Sequence, residues 1–172
     1  MKKLFTLFLF GLYWTQLLAQ DICPVSLAPA PRLFHIQRTG SPDTIVYDAN
    51  TTPDGLFHKE TPVRIYWKRA PKGKVDELNY LQRTKGYGVK VIPANQANEF
   101  IFHLVSYSKR NIYLKKDDCG QPVAVLTMAG KEAYLQRMFI QMEPGLKPTV
   151  HYIELFGVDV QTGYAVYEKV IP

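Results

Sequence analysis

The feature that most constrains this chain is its punctuation. From Leu33 to the C-terminus, short runs rich in Val, Ile, Tyr and Phe are broken at close intervals by turn-forming clusters. Thr39-Gly40-Ser41-Pro42-Asp43, Asp117-Asp118-Cys119-Gly120, Met128-Ala129-Gly130-Lys131 and Gln161-Thr162-Gly163 each lie between two such runs. Glycine supplies positive φ and Asp or Asn bonds its own backbone, so such clusters reverse a chain. Alternating residues between tight turns read as antiparallel strands. Hairpins are predicted over residues 33–48, 111–127 and 149–170, with further strands at 62–68, 87–92, 99–106 and from 131 to about 142. One segment reads differently. Over residues 76–85, Asp76 can cap a helix, Leu78 and Leu81 share a face, and Gly86 can end it. The expected fold is all-β, an antiparallel meander of about nine or ten strands with one short helix. Such a sheet hides its edges by closing into a barrel of the lipocalin or streptavidin kind, or by folding into a two-sheet sandwich.

The first twenty residues stand outside this pattern. Lys2 and Lys3 precede a run from Leu4 to Leu18 that is apolar apart from Thr6, Thr15 and Gln16, and small and polar residues follow at Ala19 and Gln20. This is the composition of a secretory signal peptide, and the run is shorter than the roughly 20 apolar residues of a membrane span. The predicted organisation is a signal peptide at 1–20, an extended arm at 21–32 containing Pro24, Pro29 and Pro31, and a single β domain at 33–172. The product is expected outside the cytoplasm, in periplasm, cell surface or medium. No later segment is apolar enough to span a membrane.

Charge narrows the partners. Loss of Lys2 and Lys3 takes the net charge from +6 to +4. A mild positive balance without a basic run does not call for nucleic acid. The two cysteines, Cys23 and Cys119, are expected to form a disulfide in an oxidising compartment.

Motifs that announce chemistry are missing. The sequence contains no G-x-G-x-x-G, G-x-x-x-x-G-K, G-x-S-x-G, H-E-x-x-H or C-x-x-C. His35, His103 and His151 fall within predicted strands among apolar neighbours, which suits wall or core histidines better than a zinc site. No catalytic residue, metal or cofactor is predicted.

One stretch invites a functional reading. In R-I-Y-W-K-R, residues 64–69, Val63, Ile65 and Trp67 share one strand face, while Arg64, Tyr66 and Lys68 share the other. The second face is either a solvated strand surface or part of a polar-lined pocket. In a pocket, Arg64 would offer a planar fork to a carboxylate or phosphate, and Tyr66 a ring and a hydroxyl.

Four pieces in order, H-I-x-R at His35, I-V-Y-x-A-N at Ile45, P-V-x-x-Y-W at Pro62 and Y-G at Tyr87, resemble an uncharacterised family of small secreted bacterial proteins. That family is recorded only as a domain of unknown function (family 4833). The resemblance runs from about Leu33 to the "ELFGVDVQTG" near the C-terminus. It implies export and a single domain, and brings no activity, substrate or cofactor. Its motifs recur around His35 and Tyr87, which adds both to Arg64 and Tyr66 as candidate ligand-binding residues. The function expected first is a small-ligand-binding β-barrel module for an anionic or semi-polar ligand. A structural or protein-interaction domain of the cell envelope and a hydrolase-like enzyme with a scattered site are the alternatives.

Overall fold

The computed structural model describes residues 31–143, 145 and 148–172. The segment expected to be a signal peptide, most of the expected arm and Cys23 lie outside the described residues, and with them the expected Cys23–Cys119 bond. Among the described residues no helix is long and apolar enough to cross a membrane.

Among the described residues eleven strands share one sheet. They are β1 (Arg32–Arg38), β2 (Ser41–Ala49), β3 (Val63–Arg69), β4 (Lys74–Glu77), β5 (Val89–Pro93), β6 (Phe100–Leu104), β7 (Tyr107–Lys116), β8 (Pro122–Met128), β9 (Lys131–Glu143), β10 (Thr149–Asp159) and β11 (Ala165–Val170). The turns use the chemistry their sequences advertise. Ala129 and Gly130 both take positive φ, 48° and 79°, and form the two-residue hairpin between β8 and β9. The Asp159 carboxylate accepts the N–H groups of Gln161 and Thr162 and fixes the β10–β11 turn.

Strand β9 organises the sheet. Along one edge it pairs with β10 from Ala133 to Glu143. The opposite edge is shared: residues 131–134 pair with β8, and Arg137–Ile140 pair with β1. Two branches therefore leave β9, one through β1, β2, β3 and β4, the other through β8, β7, β6 and β5. The branches curl toward each other, so that Phe34 of β1 stacks on Phe102 of β6 at 6.4 Å. Phe34, Tyr47, Trp67, Phe102, Leu114 and Leu155 are among the fully buried side chains that fill the interior.

Three expectations need correction. The sheet is not antiparallel throughout, because β1 and β9 run parallel. Pairing with β8 stops at Tyr134 of the 13-residue β9, and the rest of that edge must find another partner. The barrel does not close either: the path ends at β4 and β5, which do not pair with each other, and the result is a curled half-barrel. Large side chains occupy the space where a ligand lumen was expected.

The helix is also shorter and later than 76–85. Asp76 belongs to β4, where it pairs with Arg69 and Lys74 instead of capping. Helical geometry covers residues 80–86, the last five, Gln82–Gly86, as a π turn that ends at Gly86 as expected. Asn79 is the cap. Its side chain accepts the Gln82 N–H at 2.9 Å, and the Gln82 side chain accepts the Asn79 N–H at 3.0 Å. That reciprocal pair is a capping box.

Candidate functional site

The strand that carried the functional reading has the two faces its alternation predicts. Trp67 is buried, with the guanidiniums of Arg69 and Arg38 over its ring at 4.5 and 5.1 Å. Its indole N–H donates to Gln82 Oε1 at 3.2 Å. The opposite face carries Arg64 and Tyr66, with the Arg64 guanidinium 5.1 Å from the Tyr66 ring.

The four candidate residues separate into two groups. His35 pairs with Val46 and Val46 with Tyr66, so His35 lies on the face of Tyr66 about two strand spacings, ~10 Å, away. Burial, then the charges of Arg32 and Arg137, hold its imidazole below the ordinary histidine value. The Tyr66 hydroxyl is occupied: it donates to Asp48 Oδ2 at 2.7 Å, and Arg32 Nε donates to the other Asp48 oxygen at 2.7 Å. Burial and then that carboxylate push the Tyr66 pKa up. Tyr87 stands on the core side. Its ring meets Trp67 edge-on at 5.4 Å, its hydroxyl accepts from Arg38 at 3.1 Å, and its carbonyl accepts the Tyr47 hydroxyl at 2.7 Å. Arg64 and Tyr66 are thus in contact, His35 shares their face at a distance, and Tyr87 packs on the other side.

Arg64 lines a cleft. A cleft of about 320 Å³ opens at the seam of the half-barrel, where the two ends of the sheet path fail to meet. Val63, Arg64 and Ile65 of β3 line one side, Gly88 and Val89 at the start of β5 the other, and Glu77 and Arg83 complete it. Gly88 makes this geometry possible. A Cβ there would sit 1.8 Å from the Arg83 carbonyl oxygen, so only glycine lets the helical turn approach the start of β5.

The electrostatics are uneven. Arg64 Nη2 donates to Glu77 Oε1 at 3.2 Å and Arg83 Nη2 to Glu77 Oε2 at 3.0 Å. Two guanidiniums share one carboxylate, which leaves one positive charge in excess. All three side chains are more than half exposed. Exposed pairs of this kind are worth about 0–1 kcal/mol, so Glu77 is only weakly held. Arg83 and Glu77 were not singled out from the sequence. The signal available was the Asn79-x-x-Gln82 capping box between them, which fixes how far apart the two can lie.

A second depression of about 660 Å³, lined by Leu56, Phe57, Ala97 and Phe100 among others, is wider and mostly apolar. Asn98 ties its two loops together by accepting the Phe57 N–H at 2.7 Å. Among the described residues no group of three His, Cys, Asp or Glu side chains gathers as a metal site.

No curated protein and no solved structure matches this chain. The model of the family described as Domain of unknown function (DUF4833) matches residues 34–169, most of the chain, and the chain belongs to that family.

Proposed function

We propose that this domain is an exported recognition module that holds an anionic group of its partner in the seam cleft. The observation that carries this is the sharing of Glu77 by Arg64 and Arg83 in a cleft open to solvent. Guanidinium forks suit carboxylate and phosphate, and a carboxylate supplied by the partner replaces one that is only weakly held. The filled interior points to the same place, since a ligand has no lumen to enter. The leader-like residues 1–20 support export, and a Cys23–Cys119 disulfide fits an oxidising compartment.

The test is a titration of the isotope-labelled protein with sodium acetate and with inorganic phosphate, followed by amide and Arg Nε–H NMR shifts. Shifts centred on Arg64, Arg83, Gly88 and Val89 are expected. The Arg64→Ala/Arg83→Ala double variant should abolish them, and Glu77→Gln should strengthen binding severalfold by removing the internal competitor. Shifts spread over the surface lysines and unchanged in the double variant would refute the proposal.

A further inference from the structure

The seam cleft has a second property, which lies in its backbone. In the β2–β3 ladder the Asn50 N–H donates to the Pro62 carbonyl at 2.8 Å. Antiparallel pairs alternate between hydrogen-bonded and non-hydrogen-bonded positions, so Pro62, Arg64, Tyr66 and Lys68 direct their backbone groups at β2. Val63 and Ile65 direct theirs the other way, toward the edge that β4 covers. Strand β4 pairs only with Tyr66 to Arg69, so Val63 and Ile65 face a stretch of edge that β4 does not reach.

The same construction applies across the cleft. The Val105 N–H donates to the Gly88 carbonyl at 2.9 Å, and the Ala94 N–H to the Glu99 carbonyl at 3.1 Å. Both bonds set one phase, in which Gly88, Lys90, Ile92 and Ala94 bond toward β6 and Val89 and Val91 bond outward. Among the described residues β5 has β6 as its one partner in the sheet. Among the same residues the cleft is therefore flanked by two lengths of open strand edge, with Val63 and Ile65 on one and Val89 and Val91 on the other.

The side chains along these edges alternate in character. Ile65, Val89 and Val91 are half-buried against the core, whereas the Arg64 and Arg83 guanidiniums stand at the solvent side. A small anion engages the guanidiniums and leaves both the apolar strip and the backbone groups unused. An extended polypeptide engages all three, because its side chains alternate between two faces with the same period.

We infer that the partner recognised at the cleft is an extended segment of another polypeptide, added as a strand to the open edge of β5. It places apolar side chains beside Ile65 and Val89 and an Asp or Glu against Arg64 and Arg83. This inference rests on the proposed function and specifies its ligand. Main-chain bonds supply the attachment, and the acidic residue sets the register.

The experiment is selection of a phage-displayed library of linear nine-residue peptides on the full chain, run beside the acetate and phosphate titration. Enriched peptides are expected to alternate apolar residues with one Asp or Glu. On binding they should slow hydrogen exchange at the Val89 and Val91 amides at least tenfold. N-methylation at alternate residues of the selected peptide should weaken binding at least tenfold on the wild-type protein, whose folding is then not in question. Enriched peptides insensitive to N-methylation overturn strand addition and leave the anion site standing. Anion binding with no peptide enriched does the same, and the charges at the seam then serve to keep an open edge from pairing. Neither anion nor peptide binding overturns both.

Discussion

Replacing Trp67 by alanine tests the inner face of β3 directly. The indole is 1% exposed and is held by contacts of several kinds: two guanidiniums over the ring, Tyr87 edge-on, and the bond to Gln82. Removing a buried Trp side chain costs about 3–5 kcal/mol through lost transfer energy and the cavity left behind. The aromatic pair adds about 0.5–1.5 kcal/mol and the cation–π contacts a comparable amount, which places the loss at the upper end of that range. Truncation also removes one of the two donors to Gln82 Oε1, which keeps the Asn79 N–H of the capping box. Whole domains are stable by only about 5–15 kcal/mol, so a milder companion is needed. Trp67→Phe keeps a ring and loses the N–H, and should cost about 2 kcal/mol. Urea unfolding followed by far-UV circular dichroism measures both, with an unchanged slope as evidence that the midpoint shift is a stability change. Arg64→Ala, on the outer face, should stay within about 1 kcal/mol of wild type. A Trp67→Ala loss below about 1 kcal/mol, or a larger loss for Arg64→Ala, would refute the assignment of the two faces.

Gly88→Ala should destabilise the fold by about 2 kcal/mol or more, because its methyl group meets backbone and not a flexible side-chain end; Gly86→Ala, which meets nothing within 4 Å, is the control in the same urea assay. His35 makes stability depend on pH. Its pKa is lower folded than unfolded, so the unfolded chain binds more protons as pH falls below about 6.5, and stability that is complete above that value is lost toward the folded pKa. The thermal midpoint should therefore fall between pH 7 and pH 5, and His35→Gln should flatten that part of the profile in scanning calorimetry; an unaltered profile would show that the imidazole is hydrated.

Much of the fold was legible because its turns are local. The β7–β8, β8–β9 and β10–β11 hairpins follow from Gly and Asp positions that act within four residues, and the strands between them appear where alternation predicts. Strand β4 was missed. Lys74-Val75-Asp76-Glu77 has the charged composition of an exposed edge and gives no apolar alternation, and the acid at 76 resembled a cap. The true cap was readable, since Asn79 followed by Gln82 is a capping-box spacing. The parallel β1–β9 pair was not readable. It joins residues about a hundred positions apart and depends on how far β9 outruns β8, a property of two strands together and of neither alone.

The filled interior confines the proposed recognition to the surface, and the outer face narrows it further. Several cations on that face already have aromatic partners: Arg137 lies 3.8 Å from the Phe156 ring centre and Lys169 lies 3.6 Å from that of Tyr152. Arg32 is committed to Asp48 in a partly buried bond. Such contacts stiffen a solvated sheet face and leave little for a partner to gain. Arg64 also covers a ring, that of Tyr66, yet its guanidinium reaches past the end of β4 to share Glu77 with Arg83. Alternation in the sequence was enough to put Arg64 on the outward face, where it had equal claim with Tyr66 and Lys68. What distinguishes it is the failure of β4 to extend beyond Tyr66, which leaves a cation, an apolar strip and a free backbone edge at one place. A half-barrel that does not close provides all three without a lumen, and this is why we propose the seam as the site.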